Sequence, residues 1–201
     1  MARYDVAVIG LGAMGSAALY HLARRGRRVV GIEQAAPGHD GGSSHGESRI
    51  IRLAQFENPA YTPLVERAWA LWDDLGREVG EPLIVRTGIL EAGPPGAPIV
   101  EGSLAAARAH GLEHRVLTAA EARARFPAFD LPEHWTIVAQ ADAGIVRADR
   151  ALAAHMAGAK AAGATVRTGT VIALEPANAG IRVRLEGGET IEAGAVIAAA
   201  G

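Results

Sequence analysis

Three glycines, Gly10, Gly12 and Gly15, lie between a short β-branched run, Tyr4–Ile9, and an alanine-rich stretch, Ser16–Arg25. In a strand–turn–helix unit each of them has separate work. The first permits the tight turn, the second lets a pyrophosphate approach the backbone, and the third lets helix and strand pack closely. The phosphates then rest on the positive end of the helix. Such a triplet is weak evidence alone, because glycines gather in turns anyway. Here Glu33 adds to it, closing a second apolar run, Arg28–Glu33. A carboxylate in that place accepts hydrogen bonds from ribose hydroxyls and repels a 2′-phosphate. The expected ligand is a dinucleotide with a free adenosine ribose.

A second constellation follows. Gly41-Gly42-Ser43-Ser44-His45-Gly46-Glu47-Ser48-Arg49-Ile50-Ile51-Arg52 is a small-residue loop leading into two arginines. Small residues let backbone and hydroxyl groups crowd a cofactor. Arg49 and Arg52 would share a face if the stretch were helical. Spacing alone favours a solvated surface pair. An NAD-binding domain should continue with further strand–helix repeats after Glu33, and this loop interrupts them.

The surrounding elements must hold these residues in place. Tyr4–Ile9, Ser16–Arg25 and Arg28–Glu33 form a strand–helix–strand unit of the usual length, about 30 residues, with Gly26 ending the helix. Glu47–Ala54 reads as helical or extended. Tyr61–Val79 reads as a helix with Leu64, Ala68, Leu71, Trp72 and Leu75 on one face. Val85–Ala92 reads as one strand, Ser103–His110 and Ala119–Phe126 as helices, and Trp135–Ala139 as a strand that Ala143–Val146 could continue. Arg147–Gly163 is an alanine-rich helix and Thr165–Arg167 a strand. Val171–Leu174, Ile181–Leu185 and Thr190–Glu192 read as a meander, and Ala195–Ala200 as a separate buried strand.

Composition narrows the function classes. The chain has 201 residues, 49% hydrophobic and 21% charged, with a net charge of −2, so it has no electrostatic footprint for nucleic acid or an anionic membrane. There is no cysteine, which excludes disulfides, thiolate metal sites and a cysteine nucleophile in these residues and fits a cytoplasmic setting. Val6–Tyr20 is uncharged and mostly apolar, but its glycine spacing and the arginines after it argue against a signal peptide. It is also shorter than the roughly 20 residues of a bilayer span. His21, His39, His110, His114, His134 and His155 lack metal-ligand spacing, and no metal is expected. Trp69 and Trp72 read as core, and no nucleophile-elbow motif occurs.

The chain resembles the family of monomeric sarcosine oxidase and N-methyl-tryptophan oxidase, among the D-amino-acid-oxidase-like flavoproteins. The likeness rests on Tyr4-Asp-Val-Ala-Val-Ile-Gly-Leu-Gly-Ala-Met-Gly-Ser-Ala, on Ser43 to Arg52, on Tyr61-Thr-Pro-Leu and Arg86-Thr-Gly-Ile-Leu, on Ala143-Gly-Ile-Val and on Val196-Ile-Ala-Ala-Ala-Gly201. It implies an α/β fold: a discontinuous, Rossmann-like FAD-binding domain over 1–84 and 143–201, with the start of a mixed-sheet substrate domain at 85–142. It implies FAD as cofactor and a small amino acid and oxygen as partners. The implied reaction is oxidation of a secondary amino acid such as sarcosine to an imine, with hydrogen peroxide as second product. It puts Arg49 on the flavin face, Arg52 on the substrate carboxylate and His45 near the ring. Ala13, Met14, Gln34, Ser43, Ser44, Ile50, Val171, Ala200 and Gly201 join Gly10, Gly12, Gly15 and Glu33 at the cofactor. Members of that family run to roughly twice this length, so the chain is expected to be an amino-terminal piece that a second chain could complete, and to be inactive alone. An NAD-dependent dehydrogenase and a non-catalytic FAD-binding subunit are the alternatives.

Overall fold

The computed structural model describes residues 3–36, 38–178 and 180–201. The chain divides into two compact units, residues 1–47 with 148–201, and residues 48–147.

The first unit is built on a six-stranded sheet. Strand β1 (Arg3–Ile9) leads through helix α1 (Ala13–Arg24) to β2 (Val29–Glu33). All five residues of β2 are buried, as an inner parallel strand requires. Gly31 is placed where α1 crosses: a Cβ there would lie 2.8 Å from the side chains of Leu11 and Leu19. Gly26, in the left-handed region at φ +72°, turns the chain out of the helix.

The chain returns to this unit after a hundred residues. Helix α5 (Ala148–Ala161) packs on α1, with Gly158 against the Tyr20 ring, and leads to β9 (Thr165–Thr168). Strands β10 (Val171–Ala177), β11 (Gly180–Leu185) and β12 (Thr190–Ala198) complete the sheet in the order β10-β11-β12-β1-β2-β9. The expected third meander strand and the expected strand at Ala195–Ala200 are one element. β12 pairs antiparallel with β11 through Thr190–Ala193 and parallel with β1 from Glu192 to Ala198. Two partners of opposite direction gave the segment two patterns, which read as two strands. The core of the sheet gathers Ala7, Val30, Ile32, Val183, Leu185 and Ile191.

The second unit holds two antiparallel three-stranded sheets. One has the order β3-β8-β4, from β3 (Ser48–Arg52), β4 (Ile84–Arg86) and β8 (Ala143–Arg147). The other has the order β5-β7-β6, from β5 (Ile89–Gly93), β6 (Arg115–Leu117) and β7 (Thr136–Gln140). Helix α2 (Thr62–Val79) links β3 to β4 within the first of these sheets, and α3 (Pro98–His110) and α4 (Ala119–Arg125) link β5 to β6 and β6 to β7 within the second.

This arrangement differs from several expectations. The unit boundaries fall at 47/48 and 147/148, not near 84 and 143, because β8 pairs with both β3 and β4 and binds 48–52 and 84–86 to 143–147. Val85–Ala92 is not one strand: Gly88 (φ +69°) bends the chain so that β4 and β5 enter different sheets. β8 likewise belongs to a different sheet from β7 rather than continuing it. Helix α2 buries Thr62, Trp69, Leu75 and Gly76, whereas Leu64 is 67% exposed.

Candidate dinucleotide site

In the first unit the turn after β1, the end of β2 and the loop after β2 enclose a cleft of about 250 Å³. Its floor is the glycine turn. Gly10 has φ +84°, and a Cβ there would sit 2.5 Å from the Ala199 carbonyl oxygen. A Cβ on Gly15 would lie 1.8 Å from the Gly10 carbonyl oxygen, so only glycine lets α1 start this close to β1. Gly12 differs: among the described residues beyond its chain neighbours, the atoms near its absent Cβ belong to the Ser44 side chain, at 3.0 and 3.7 Å, so its bare backbone is kept for something other than packing. Gly12 also stands at the N-cap of α1 without a side-chain cap, and the first-turn amides of a helix have no intrahelical partner. Ser44 Oγ accepts from the Ala13 N–H at 3.0 Å, holding the loop against this helix end.

Glu33 is the fixed charge of the cleft. It is 7% exposed. Its Oε2 accepts from the Leu11 N–H at 2.6 Å and its Oε1 from the Gln34 N–H at 2.9 Å. Its backbone carbonyl accepts from the Gly169 N–H of the loop after β9. Two oxygens offer about four acceptor positions, so these two amides orient the carboxylate without saturating it.

The structure brings Gly10, Gly12, Ala13, Met14, Glu33, Gln34, Ser43, Ser44, His45, Ala200 and Gly201 together around this cleft. His45 is exposed there, its Nδ1 2.6 Å from the Gly42 carbonyl oxygen. Val171 is not among the lining residues. It lies on β10 at the sheet edge and packs against the core around Val183 and Leu185. Among the lining residues that were not expected are Leu11, Gly38, His39, Asp149, Leu152 and Ala199. Asp149 and Leu152 come from the helix that returns a hundred residues later, and nothing local in the sequence announces that. His39 had a usable signal, its place between the carboxylate and the glycine-rich loop.

Arg49, Ile50 and Arg52 belong to the second unit, on β3. The stretch is a strand, so side chains alternate and positions 49 and 52 point to opposite faces; the shared helical face does not form. Arg49 and Ile50 are exposed, and the Arg49 guanidinium donates to the Ser48 carbonyl at 2.7 Å. The Arg52 side chain is largely buried, its guanidinium 4.7 Å from the centre of the Phe56 ring. It meets two carboxylates: Nη2 donates to both oxygens of Glu57 at 2.8 and 2.9 Å, and Nε lies 3.1 Å from Glu91 Oε1. Glu91 is 2% exposed and receives Ser103 Oγ and Gln140 Nε2, each at 2.5 Å. Burial pushes the Glu91 carboxyl above the ordinary carboxylate range, against the opposing pull of Ser103 and Arg52.

Parallel strands β12, β1, β2 and β9, a glycine-rich turn between β1 and α1, and an acidic residue ending β2 are the marks of a dinucleotide-binding unit. The model of the FAD dependent oxidoreductase family matches residues 5–201, and the chain belongs to that family. It is 41% identical to monomeric sarcosine oxidase of Streptomyces avermitilis over 90% of this chain and 47% of that protein. It is 35% identical to N-methyl-L-tryptophan oxidase of Yersinia pestis over 90% of this chain and 49% of that one. Among solved structures, NikD, described as an unusual amino acid oxidase essential for nikkomycin biosynthesis, superposes with a TM-score of 0.88 at 30% identity, covering all of this chain and 52% of that one. Glycine oxidase from Geobacillus kaustophilus superposes with a TM-score of 0.83 at 25% identity, covering all of this chain and 56% of that one. The chain spans about half the length of the curated relatives it matches. Among the described residues no helix is long and apolar enough to cross a membrane.

Proposed function

We propose that this chain carries the FAD site of an enzyme that oxidises a secondary amino acid such as sarcosine, with oxygen as acceptor and peroxide as product. The observation that carries the reading is the Glu33 carboxylate, oriented by two backbone amides beside a glycine turn that keeps Gly12 bare. FAD fits this set. Glu33 would receive the adenosine ribose, and Gly12, Ala13 and Met14 would receive the pyrophosphate at the start of α1. Bound FAD supplies a two-electron acceptor for the C–H bond beside the amine. Ser43, Ser44 and His45 border its path, and Arg49 is the cation assigned to the ring. Arg52 is assigned to the substrate carboxylate. A guanidinium binds a carboxylate through two parallel hydrogen bonds; the exposed Glu57 now takes Nη2, while the buried Glu91 lies 3.1 Å from Nε. An incoming amino acid would take the place of Glu57.

Titration of the chain with FAD and with NAD tests the reading. FAD is expected to bind and turn the protein yellow, and Glu33→Ala should weaken it by about 1.5–3 kcal/mol. NAD binding without FAD binding refutes the flavin assignment. In a protein completed to the length of its relatives, Arg52→Lys should raise KM for sarcosine far more than for an N-methylamine without a carboxylate. Equal effects would remove Arg52 from that role.

A further inference from the structure

His39 stands between the fixed charge of the cleft and the loop that closes over it. Its Nδ1 accepts from the Gly41 N–H at 3.1 Å. The proton of the neutral ring therefore sits on Nε2, and Nε2 lies 3.5 Å from Glu33 Oε1. The loop is wrapped around this ring. A Cβ on Gly41 would come within 3.2 Å of Nδ1 and one on Gly42 within 3.6 Å of the ring edge, while the His39 N–H donates to the Ala36 carbonyl. Five residues on, the same loop sets Ser44 Oγ on the Ala13 amide at the start of α1. The loop is thus fastened at two points, one beside the carboxylate assigned to the ribose and one beside the amides assigned to the phosphates.

We propose that His39 is a positioning residue of the dinucleotide site, which orients the Glu33 carboxylate and couples its engagement by the adenosine ribose to the folding of the 38–46 loop. The proposal rests on the dinucleotide reading of the cleft. The Leu11 and Gln34 amides bond Glu33 from the turn and the chain that follows it, and the His39 ring faces it from the loop with Nε2 3.5 Å from Oε1. A ligand that grips Glu33 therefore settles the loop, and an ordered loop presents a Glu33 already aimed. That coupling is the same whichever is counted first.

The test is a set of FAD and ADP titrations on the chain, with unfolding midpoints of the ligand-free proteins measured alongside. ADP carries the adenosine ribose and pyrophosphate without the flavin. His39→Ala is expected to weaken both ligands by about tenfold. Because His39 acts through Glu33, that loss should vanish when Glu33 is already alanine. His39→Gln, whose amide N–H can stand where Nε2 stands, should recover most of the lost affinity. His39→Asn, which can replace only the Nδ1 acceptor, should not. Equal losses from His39→Ala with and without Glu33, full recovery by asparagine, or unchanged binding in His39→Ala would each overturn the proposal while leaving the dinucleotide site standing. A chain that binds neither FAD nor ADP removes the site and the proposal together.

Discussion

At the scale of single residues, the two carboxylates on Arg52 differ in what surrounds them. Glu91 is buried, accepts from Ser103 and Gln140 and lies in ion-pair contact with Arg52, so its removal leaves two polar side chains without their acceptor and a guanidinium half-neutralised. Glu57 is about half exposed and screened by water. Glu91→Ala should therefore cost about 3 kcal/mol, in the range for breaking a buried pair. Glu57→Ala should cost under about 1 kcal/mol, as for exposed pairs. Urea denaturation of the two variants checks this, and similar midpoints would mean that Glu91 is not held as the structure shows. The same asymmetry suits the proposed exchange of partners: the loosely held carboxylate can leave and the buried one keeps the guanidinium in place.

At the scale of elements, the junction of β1, α1 and α5 sets both the cleft and its tolerance. Gly15→Ala drives a methyl into the Gly10 carbonyl, backbone against backbone, and should unfold the first unit or displace α1. Gly12→Ala meets only the end of the Ser44 side chain, so it should cost about 1 kcal/mol or less in stability and yet lose FAD, because the methyl stands where the pyrophosphate must approach. Circular dichroism melting with FAD titration separates the two. Where α1 meets α5, His155 is buried 5.3 Å from the Tyr20 ring and 6.2 Å from His21. Burial, helped by the His21 charge, lowers its pKa from 6.5 to about 4. Between those values the unfolded chain binds this proton and the folded one does not. Stability from this group is full above pH 6.5 and falls as the pH drops toward 4, by about 3 kcal/mol in all. His155→Leu should flatten that dependence, and an unaltered pH profile would contradict the burial.

At the scale of the whole molecule, each unit has its own core, and the first is assembled from two distant segments. The Ala148 N–H donates to the Glu47 carbonyl at 3.0 Å, so those segments meet where the second unit is inserted. Joining Glu47 to Ala148 through a short glycine-containing turn should leave a folded first unit, and since all residues lining the cleft belong to it, FAD binding should persist. A cooperative thermal transition with retained flavin quenching is the expected result. A chain that fails to melt cooperatively would show that residues 48–147 are needed to fold the rest.

What was legible in the sequence was local. The glycine turn, Glu33 and α1 each follow from neighbours within one strand–helix–strand unit, where spacing alone dictates which backbone can approach which. The loop from Gly41 to His45 was marked by its run of glycines and serines. The long range was not legible. β12 read as two strands because one of its partners, β1, lies at the other end of the chain. Asp149 and Leu152 reach the cleft only because α5 packs on α1. Arg52 looked like one of a surface pair, since its carboxylate Glu91 is 39 positions away, on a strand of another sheet. Spacing along a chain decides conformation and turn chemistry, but which charges meet in the dry interior is decided by packing, and packing exists only once the distant segments have closed on one another.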